Sequence, residues 1–371
     1  MAEITALGKR ACPECGGEME WNAGKQALAC PFCGFVPKDQ PVRGDADGQA
    51  ILEHPLEQAL ASVGDEGRGY GGGQKVQVRC QSCRAISVFE PGTVAKKCPF
   101  CGSPAVVPYE ETRDAITPES LLPVKLSEPQ VRDVLKGWYA SRWFAPNRLR
   151  SAALTDTLHA IYLPYWTFDA YAQAQWTAMS GDYYYETEYY TDSQGNRQSR
   201  QVQRVRWYPT SGNLEHFFDD NLVPGTVGVR MDLLRRIEPF PTTDQLCPYD
   251  PAFVRGWTVE RYQVDLRQAS DMNRQQMDAI LYDLCGRQVP GDTHRDLSVS
   301  STYSHRTFKH ILVPVWLVTY TFGARIFQTL VNGYTGAVAG DRPVSWVKVF
   351  FYVILPIVIA MIIAFVIMQN Q

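Results

Sequence analysis

The chain has 371 residues, of which 45% are hydrophobic and 20% charged, and its formal net charge is −3 at pH 7. This composition is typical of a folded protein with room for two or three domains, not of a disordered chain. The first 110 residues carry 11 Lys and Arg against 13 Asp and Glu, whereas general nucleic-acid binders are basic.

Eight of the ten cysteines form one pattern twice. Both sets read C-x2-C-x14-C-x2-C, and the second begins 68 residues after the first. Two thiolates three positions apart can bind one metal ion from a tight turn, and two such turns complete a tetrahedron. We therefore predict two zinc ribbons, at 8–40 and 76–108, each holding one structural Zn²⁺. The predicted ligands are Cys12, Cys15, Cys30 and Cys33 in the first ribbon and Cys80, Cys83, Cys98 and Cys101 in the second.

Two other uses of these cysteines are possible on spacing alone. Disulfides require an oxidising compartment, and the first ten residues, MAEITALGKR, lack the apolar segment of a secretion signal. Iron in a four-thiolate site is compatible with the spacing. With zinc, four thiolates leave each centre at −2, which brings the formal charge to about −7 and makes nucleic acid a less suitable partner.

Glycine follows the second cysteine in three of the four turns, at Gly16, Gly34 and Gly102. Glycine adopts the positive φ angles that bring backbone N–H groups towards the thiolates. Arg84 stands at the fourth such position. We expect this residue to strain or rearrange its turn.

Residues 41–75 are predicted to be a flexible linker that includes a short helix near Pro55–Val63. A glycine-rich run at 64–73 precedes Lys75. It does not match the phosphate-binding pattern G-x4-G-K-[ST], because Gln74 precedes the lysine and no hydroxyl residue follows it. We therefore interpret this run as a linker.

Residues 115–343 are predicted to form an α+β body. Ser127 and Gln130 have the spacing of a capping box, so a helix is expected to begin there. A second helix is expected from about Leu266 to Cys285, ending at Gly286. Strands at 182–191 and 197–208 are predicted to form a long hairpin.

The body contains an internal repeat. The segments 159–166 and 310–316 share a Pro-x-Trp sequence, and the two copies lie 150 residues apart. Each copy follows a predicted helix and precedes β-rich sequence. We therefore predict a duplicated helix-plus-antiparallel-sheet body, with halves at about 115–240 and 241–343.

An uncharged apolar run covers residues 349–368. As an α-helix it would be about 30 Å long, the thickness of the hydrocarbon core of a bilayer. Arg342 and Lys348 precede the run and no charged residue follows it. The run predicts one C-terminal transmembrane helix, and the positive-inside rule places residues 1–348 in the cytoplasm.

No cluster of residues predicts catalysis. The six histidines are scattered, Cys247 and Cys285 lie outside any C-x-x-C, and no nucleophile-elbow motif occurs. We expect no enzymatic activity, no catalytic residue and no small-molecule substrate. The two lone cysteines are interpreted as small buried apolar groups.

Two aromatic features allow a binding interpretation. A ligand cage is one reading of Trp166, Trp316, Tyr162 and Tyr165, but aromatic residues that alternate along a strand more often pack in a core. The hairpin combines arginines with tyrosines, as in proteins that bind single-stranded nucleic acid. Its acidic residues balance that charge, so we prefer cross-strand ion pairs.

Several motifs outside the ribbons carry a family resemblance. They are WFAPNRL at 143–149, YLPYWTFD at 162–169, FKHILVPVW at 308–316, VNGYTG at 331–336 and GDRPVS at 340–345. With these motifs and the two ribbons, most of the chain resembles a bacterial family of membrane-anchored double zinc-ribbon proteins. Members are often labelled as transcription-factor-IIB-type zinc ribbons or as primosomal-helicase-like, although no ATPase motif is present here.

The resemblance implies a docking role and supplies no catalytic residue. Members of the family tend to be encoded beside phage-shock-protein-A-like and SPFH-domain proteins, which implies such proteins as partners. We therefore expect a tail-anchored adaptor or scaffold of an envelope-stress assembly, single-pass in the bacterial inner (plasma) membrane. The alternative is a membrane-tethered nucleic-acid-binding regulator, because Arg79, Lys96 and Lys97 make the second ribbon locally basic.

Overall fold

The computed structural model describes residues 11–37, 51–62, 76–89, 97–109, 116–141, 158–191, 193–322, 325–341, 345, 348 and 350–369. Strands make up 44% of the structure and helices 25%. Most of the strands belong to one large mixed sheet. The predicted α+β class, with its antiparallel body and a transmembrane helix, is therefore wrong.

The strands follow one another in chain order. They are β1 (Glu20–Asn22), β2 (Ala27–Ala29), β3 (His54–Pro55), β4 (Val76–Cys80), β5 (Ile86–Phe89), β6 (Val106–Pro108), β7 (Ser120–Leu121), β8 (Leu158–Thr191), β9 (Arg197–Pro224), β10 (Cys247–Pro248), β11 (Thr258–Arg261), β12 (Thr293–Phe322), β13 (Arg325–Asn332) and β14 (Val338–Gly340).

The helices are also numbered in chain order. They are α1 (Leu56–Ser62), α2 (Glu128–Ala140), α3 (Met231–Leu234), α4 (Thr242–Gln245), α5 (Leu266–Gln288) and α6 (Leu355–Gln369), with a 3₁₀ turn at Pro251–Phe253 and a π-helical turn at Phe350–Ile354.

The two long strands β8 and β12 form the centre of the large sheet and pair antiparallel. Leu163 lies directly opposite Val313, and these residues occupy equivalent positions in the 150-residue repeat. The pairing therefore relates the two repeat segments by a local twofold axis. β9 extends the sheet beyond β8, and β13 extends it beyond β12.

Two short strands follow the same local symmetry. β11 runs parallel to β8 at Ile161 and Tyr162, and β7 runs parallel to β12 at Ile311 and Leu312. A duplicated body would have this geometry, although the boundary near residue 240 stays a prediction. Strands of two to four residues carry no periodic sequence signal, so the mixed pairing was not predictable from alternation.

The second ribbon is part of the large sheet. β4 pairs with β5 and β6, and β5 pairs with β11, where Val88 lies opposite Val259. The ribbon thus continues the body sheet through backbone hydrogen bonds.

The first ribbon forms its own two-stranded sheet, β1 and β2, and packs against the body. The Trp21 indole N–H donates to the carbonyl of Val124 at 2.8 Å. The same ring stacks on Phe253 with centroids 4.8 Å apart. Leu28 is buried in one apolar cluster with Leu121 of the body. Both ribbons are therefore held on one sheet.

Part of the predicted linker also packs on the body. His54 in β3 pairs with Phe308 in β12, and Leu56, at the start of α1, is 1% exposed. Helix α1 confirms the short helix expected near Pro55–Val63. The glycine-rich run at 64–73 lies outside the described residues.

The two predicted body helices are present. The backbone N–H of Ser127 donates to Gln130 Oε1 at 2.8 Å, as the capping box of α2 requires. Helix α5 continues past Gly286 to Gln288. It stops there because the next residue, Val289, precedes a proline and is disfavoured in a helical conformation.

The predicted hairpin is the outer part of the much longer β8–β9 pair. β12 pairs with β8 only as far as Gly181, so the segment beyond it is two-stranded among the described residues. Arg200 forms an ion pair with Glu188 at 2.9 Å, and Arg204 pairs with Glu186 at 2.7 Å. These contacts confirm the cross-strand ion pairs. Asp192 in the turn lies outside the described residues.

The C-terminal apolar run does not form the predicted transmembrane helix. Across the described residues, no helix combines the length and apolar character needed to cross a membrane. α6 has 15 residues, about 22 Å against a hydrocarbon core of about 30 Å. A π-helical turn at Phe350–Ile354 precedes α6, and Pro356 lies in the first turn of α6, where a proline fits because no backbone N–H is needed there.

The predicted span at 349–368 is therefore wrong. The single-pass, tail-anchored placement in a bacterial inner (plasma) membrane depends on that span and is therefore wrong as well. Arg342 and the WFAPNRL motif at 143–149 lie outside the described residues.

Candidate metal centres

Each predicted ribbon consists of two tight turns that face one another. In the first ribbon, the N–H of Gly16 donates to the Cys12 carbonyl at 2.9 Å, and the N–H of Gly34 donates to the Cys30 carbonyl at 3.0 Å. The β1–β2 hairpin joins the two turns. This arrangement brings cysteines that are distant in sequence to one point.

The second ribbon repeats this backbone geometry. The N–H of Arg84 donates to the Cys80 carbonyl at 3.0 Å, and the N–H of Gly102 donates to the Cys98 carbonyl at 2.9 Å. The two turns are carried by β4, β5 and β6, so the body sheet positions this site.

The sulfur atoms have the separations of a four-thiolate metal site. The Sγ–Sγ distances are 3.5 Å for Cys12–Cys33 and Cys15–Cys30, and 3.6 Å for Cys80–Cys101 and Cys83–Cys98. A zinc ion about 2.3 Å from each sulfur requires tetrahedral edges of about 3.8 Å. Within each group, all four ligand atoms lie within 4.8 Å of one another.

The same distances decide against disulfides. A disulfide joins its sulfurs at about 2.05 Å, and all ten cysteines are free thiols. The structure therefore contains two four-cysteine clusters at zinc-ribbon spacing that can hold metal ions.

The second site favours a thiolate. A hydrogen bond with Cys83 lowers the pKa of Cys98 to about 5, and the backbone N–H groups of Cys101 and Phe100 act in the same direction against burial. The pKa of Cys83 is raised, chiefly by the same hydrogen bond. The pair thus shares one proton, and the thiolate is the form that binds metal.

Arg84 has the same backbone conformation as the three glycines. Its φ angle is 64°, against 70° at Gly16, 78° at Gly34 and 71° at Gly102. The arginine side chain is exposed. The turn is therefore strained and not rearranged, since a residue with a Cβ atom is held in the left-handed region.

We expect Arg84→Gly to raise the free energy of unfolding by about 1 kcal/mol, because it removes the left-handed strain. Urea denaturation of the metal-loaded protein measures this change. Gly102→Arg is the matched control, since it places the same side chain in the equivalent turn, and it should lower stability by a similar amount. A stability loss in Arg84→Gly would contradict the explanation.

The second centre lies in the core of the protein. Cys80 and Cys98 are buried in the largest apolar cluster, together with Phe100. The carbonyl of Phe100 accepts hydrogen bonds from Thr319 Oγ1 at 3.0 Å and from Gln328 Nε2 at 2.8 Å. The metal turn is therefore fixed to β12 and β13.

A third group of possible ligands was not predicted from the sequence. Asp169 is brought next to Asp219 and Asp220 by the β8–β9 pairing. Lys309 Nζ lies 2.8 Å from Asp220 Oδ1 and 3.2 Å from Glu53 Oε1. An ammonium group thus already pairs with two of the carboxylates, and we interpret the group as a partly buried ion-pair network.

This network predicts a pH-dependent stability. Burial raises the pKa of Asp169 to about 6, opposed by the Asp220 N–H and Lys309 and assisted by Glu53, whose own pKa is lowered. The folded protein therefore holds the Asp169 proton more tightly than the unfolded chain. The stabilisation is complete below the ordinary pKa of 3.8 and is lost as the pH rises through 6.

We expect Asp169→Asn to remove this loss, because asparagine mimics the protonated carboxyl. Between pH 5 and 7, the wild type should lose about 1 kcal/mol of unfolding free energy relative to the variant. Urea denaturation across this pH range measures the difference. Asp219→Asn changes an exposed neighbour and is the control. Parallel pH profiles for wild type and Asp169→Asn would refute the assignment.

The remaining candidate residues, four aromatic residues and two lone cysteines, pack in the core. The four aromatic residues do not form a cage, because they pack in four separate apolar clusters: Trp166, Trp316, Tyr162 and Tyr165. Cys247 and Cys285 are both buried, and the Cys247 thiol donates to the Leu121 carbonyl at 3.4 Å. The core interpretation of these residues is confirmed.

Comparison with known proteins gives one informative relative. The chain is 23% identical over 348 residues to the uncharacterized protein YdjG of Bacillus subtilis (strain 168), and the match covers 91% of both chains. No family model matches, and no solved structure gives a significant match. The similarity therefore extends along nearly the whole chain, to a protein whose name assigns no activity.

Proposed function

We propose that this protein is a zinc-stabilised adaptor that binds other proteins and catalyses no reaction. The observation that carries the proposal is the closed ligand set. Each site offers four thiol sulfurs, so a tetrahedral zinc ion would have no position for water or substrate. A zinc ion held in this way has a structural role.

The packing of the ribbons supports an adaptor role. Trp21 fixes the first ribbon to the body, and the β5–β11 pairing fixes the second. A surface that is rigid before binding loses little entropy on association. The family resemblance suggests SPFH-domain and phage-shock-protein-A-like proteins as the first partners to test.

We expect the purified protein to contain two zinc ions per chain by elemental analysis. Cys80→Ser with Cys83→Ser should reduce this to one, because half of one ligand set is lost. The same double change at Cys12 and Cys15 is the matched control and should also leave one. Iron in place of zinc, or no metal at all, would contradict the metal assignment.

Affinity purification of the full-length protein from a cell extract tests the adaptor role. We expect an SPFH-like or phage-shock-like protein to be enriched over the Cys12→Ser, Cys15→Ser variant. Recovery of neither would count against these partners.

A nucleic-acid-binding regulator instead predicts salt-dependent binding of DNA or RNA by the full-length chain. We expect no such binding at low salt, because the locally basic second ribbon belongs to a chain with a net charge of −3, and Arg200 and Arg204 of the hairpin already pair with glutamates.

A further inference from the structure

The two ribbons carry the same metal-binding turn in different surroundings. Residues 30–34 and 98–102 both read Cys-Pro-Phe-Cys-Gly, and their glycines have nearly the same φ angle. Phe100 is 0% exposed, whereas Phe32 is 75% exposed. Phe32 is the most exposed large apolar side chain in the part of the chain that the structure describes.

The body shows what kind of surface receives such a turn. Phe100 is buried in one apolar cluster with residues of the body sheet, among them Leu317 on β12 and Leu330 on β13. Its carbonyl accepts one hydrogen bond from the Thr319 hydroxyl and one from the Gln328 carboxamide. Thr319 and Gln328 lie directly opposite one another on β12 and β13. The receptor is thus an apolar face of paired strands with a hydroxyl and a carboxamide donor.

In the equivalent turn of the first ribbon, the Phe32 ring contacts Gly17. A Cβ atom on Gly17 would lie 2.6 Å from Phe32 Cδ2, so the ring rests against the glycine backbone. The position equivalent to Gly17 in the second ribbon is Ala85, which is buried. Pro31 beside the ring is exposed as well. Aromatic side chains, phenylalanine among them, are enriched at protein–protein interfaces relative to the rest of the surface.

We propose that the turn at Phe32 is a docking element for a partner protein that offers a sheet face like the one that buries Phe100. The partner would enclose the Phe32 ring in an apolar pocket and donate a hydroxyl and a carboxamide hydrogen bond to the Phe32 carbonyl. This inference rests on the proposed adaptor function and names the surface through which it acts.

Site-specific crosslinking tests the docking element in the full-length, metal-loaded protein. Benzoylphenylalanine replaces Phe32 in one variant and Tyr185 in the control, since Tyr185 is an aromatic residue that is 67% exposed on the hairpin. We expect a protein adduct from position 32 and none from position 185. The crosslinked residue should lie on a strand face flanked by Ser or Thr and by Asn or Gln.

A purified adduct partner allows a direct affinity measurement. We expect Phe32→Ala to weaken binding about 30-fold or more, the effect of losing an interface anchor. The variant should keep two zinc ions and an unchanged melting temperature, because the ring is exposed. Equal affinity of wild type and Phe32→Ala would overturn the docking element while leaving the adaptor function in place.

Four further results of crosslinking or purification would overturn part of the proposal. An adduct between two copies of this chain, an adduct with nucleic acid, or an adduct on a helical surface would each overturn the proposed partner chemistry. Failure of the wild-type protein to retain any specific protein partner in affinity purification would overturn the adaptor function itself.

Discussion

Replacing Cys80 and Cys83 by serine is expected to destabilise the body of the protein far more than the same change at Cys12 and Cys15. We expect a loss of about 4 kcal/mol or more in the free energy of unfolding for the second ribbon, and about half of that or less for the first. Urea denaturation followed by tryptophan fluorescence measures both.

The asymmetry follows from where the two sites lie. The second site belongs to the same apolar cluster as the centre of the β8–β12 pair, and its strands are hydrogen-bonded to β11. Losing the metal there would open the edge of the sheet and expose Phe100. In the first ribbon, Cys15 and Cys33 are exposed, whereas Cys83 and Cys101 of the second are half-buried. The first ribbon packs on the body through side chains, and its two strands form a sheet of their own instead of joining the large sheet.

Metal removal by a chelator provides an independent measurement. Chelation should unfold the second ribbon and lower the midpoint of body unfolding, because metal binding contributes folding free energy. The Cys12→Ser, Cys15→Ser variant should respond almost as strongly as the wild type, since its second site is intact. Equal losses of unfolding free energy from the two double substitutions would contradict a special role of the second centre in the stability of the body.

The metal sites were predictable because their signal is local. Two cysteines three positions apart define a turn, and the spacing between turns defines a hairpin, so the ligand set follows from sequence alone. The strain at Arg84 was predictable for the same reason. The capping box at Ser127 likewise depends only on residues three positions apart.

The errors arose where structure depends on distant partners. β7 and β11 have two and four residues, and their parallel pairing is set by the long strands that receive them. The carboxylates at Asp169 and Asp220 meet because a hairpin brings them together across 51 residues. The transmembrane prediction for the C-terminal run was based on its apolar composition. It gave too little weight to Pro356, which restricts where an α-helix can begin.

Phe32 and Phe100 occupy the same local sequence, but only Phe100 is buried, because the surroundings of the turn are set by distant strands. Phe100→Ala should lower the free energy of unfolding by about 4 kcal/mol, because it removes a fully buried ring and leaves a cavity. Phe32→Ala should change it by less than about 0.5 kcal/mol, because the ring is exposed. Urea denaturation in the presence of zinc measures both.

Phe32→Ala and Phe100→Ala are matched controls for one another, because both lie in the sequence Cys-Pro-Phe-Cys-Gly. Both substitutions remove the same side chain from the same local sequence, so their effects on the unfolded chain largely cancel. The difference in stability therefore reports the burial of the turn by β12 and β13. Gln328→Leu isolates the polar part, since it removes the carboxamide donor to the Phe100 carbonyl and should cost about 1 kcal/mol or more. Similar losses at Phe32 and Phe100 would mean that the ring stabilises the metal turn itself, and the exposed ring of the first ribbon would then need no partner to explain it.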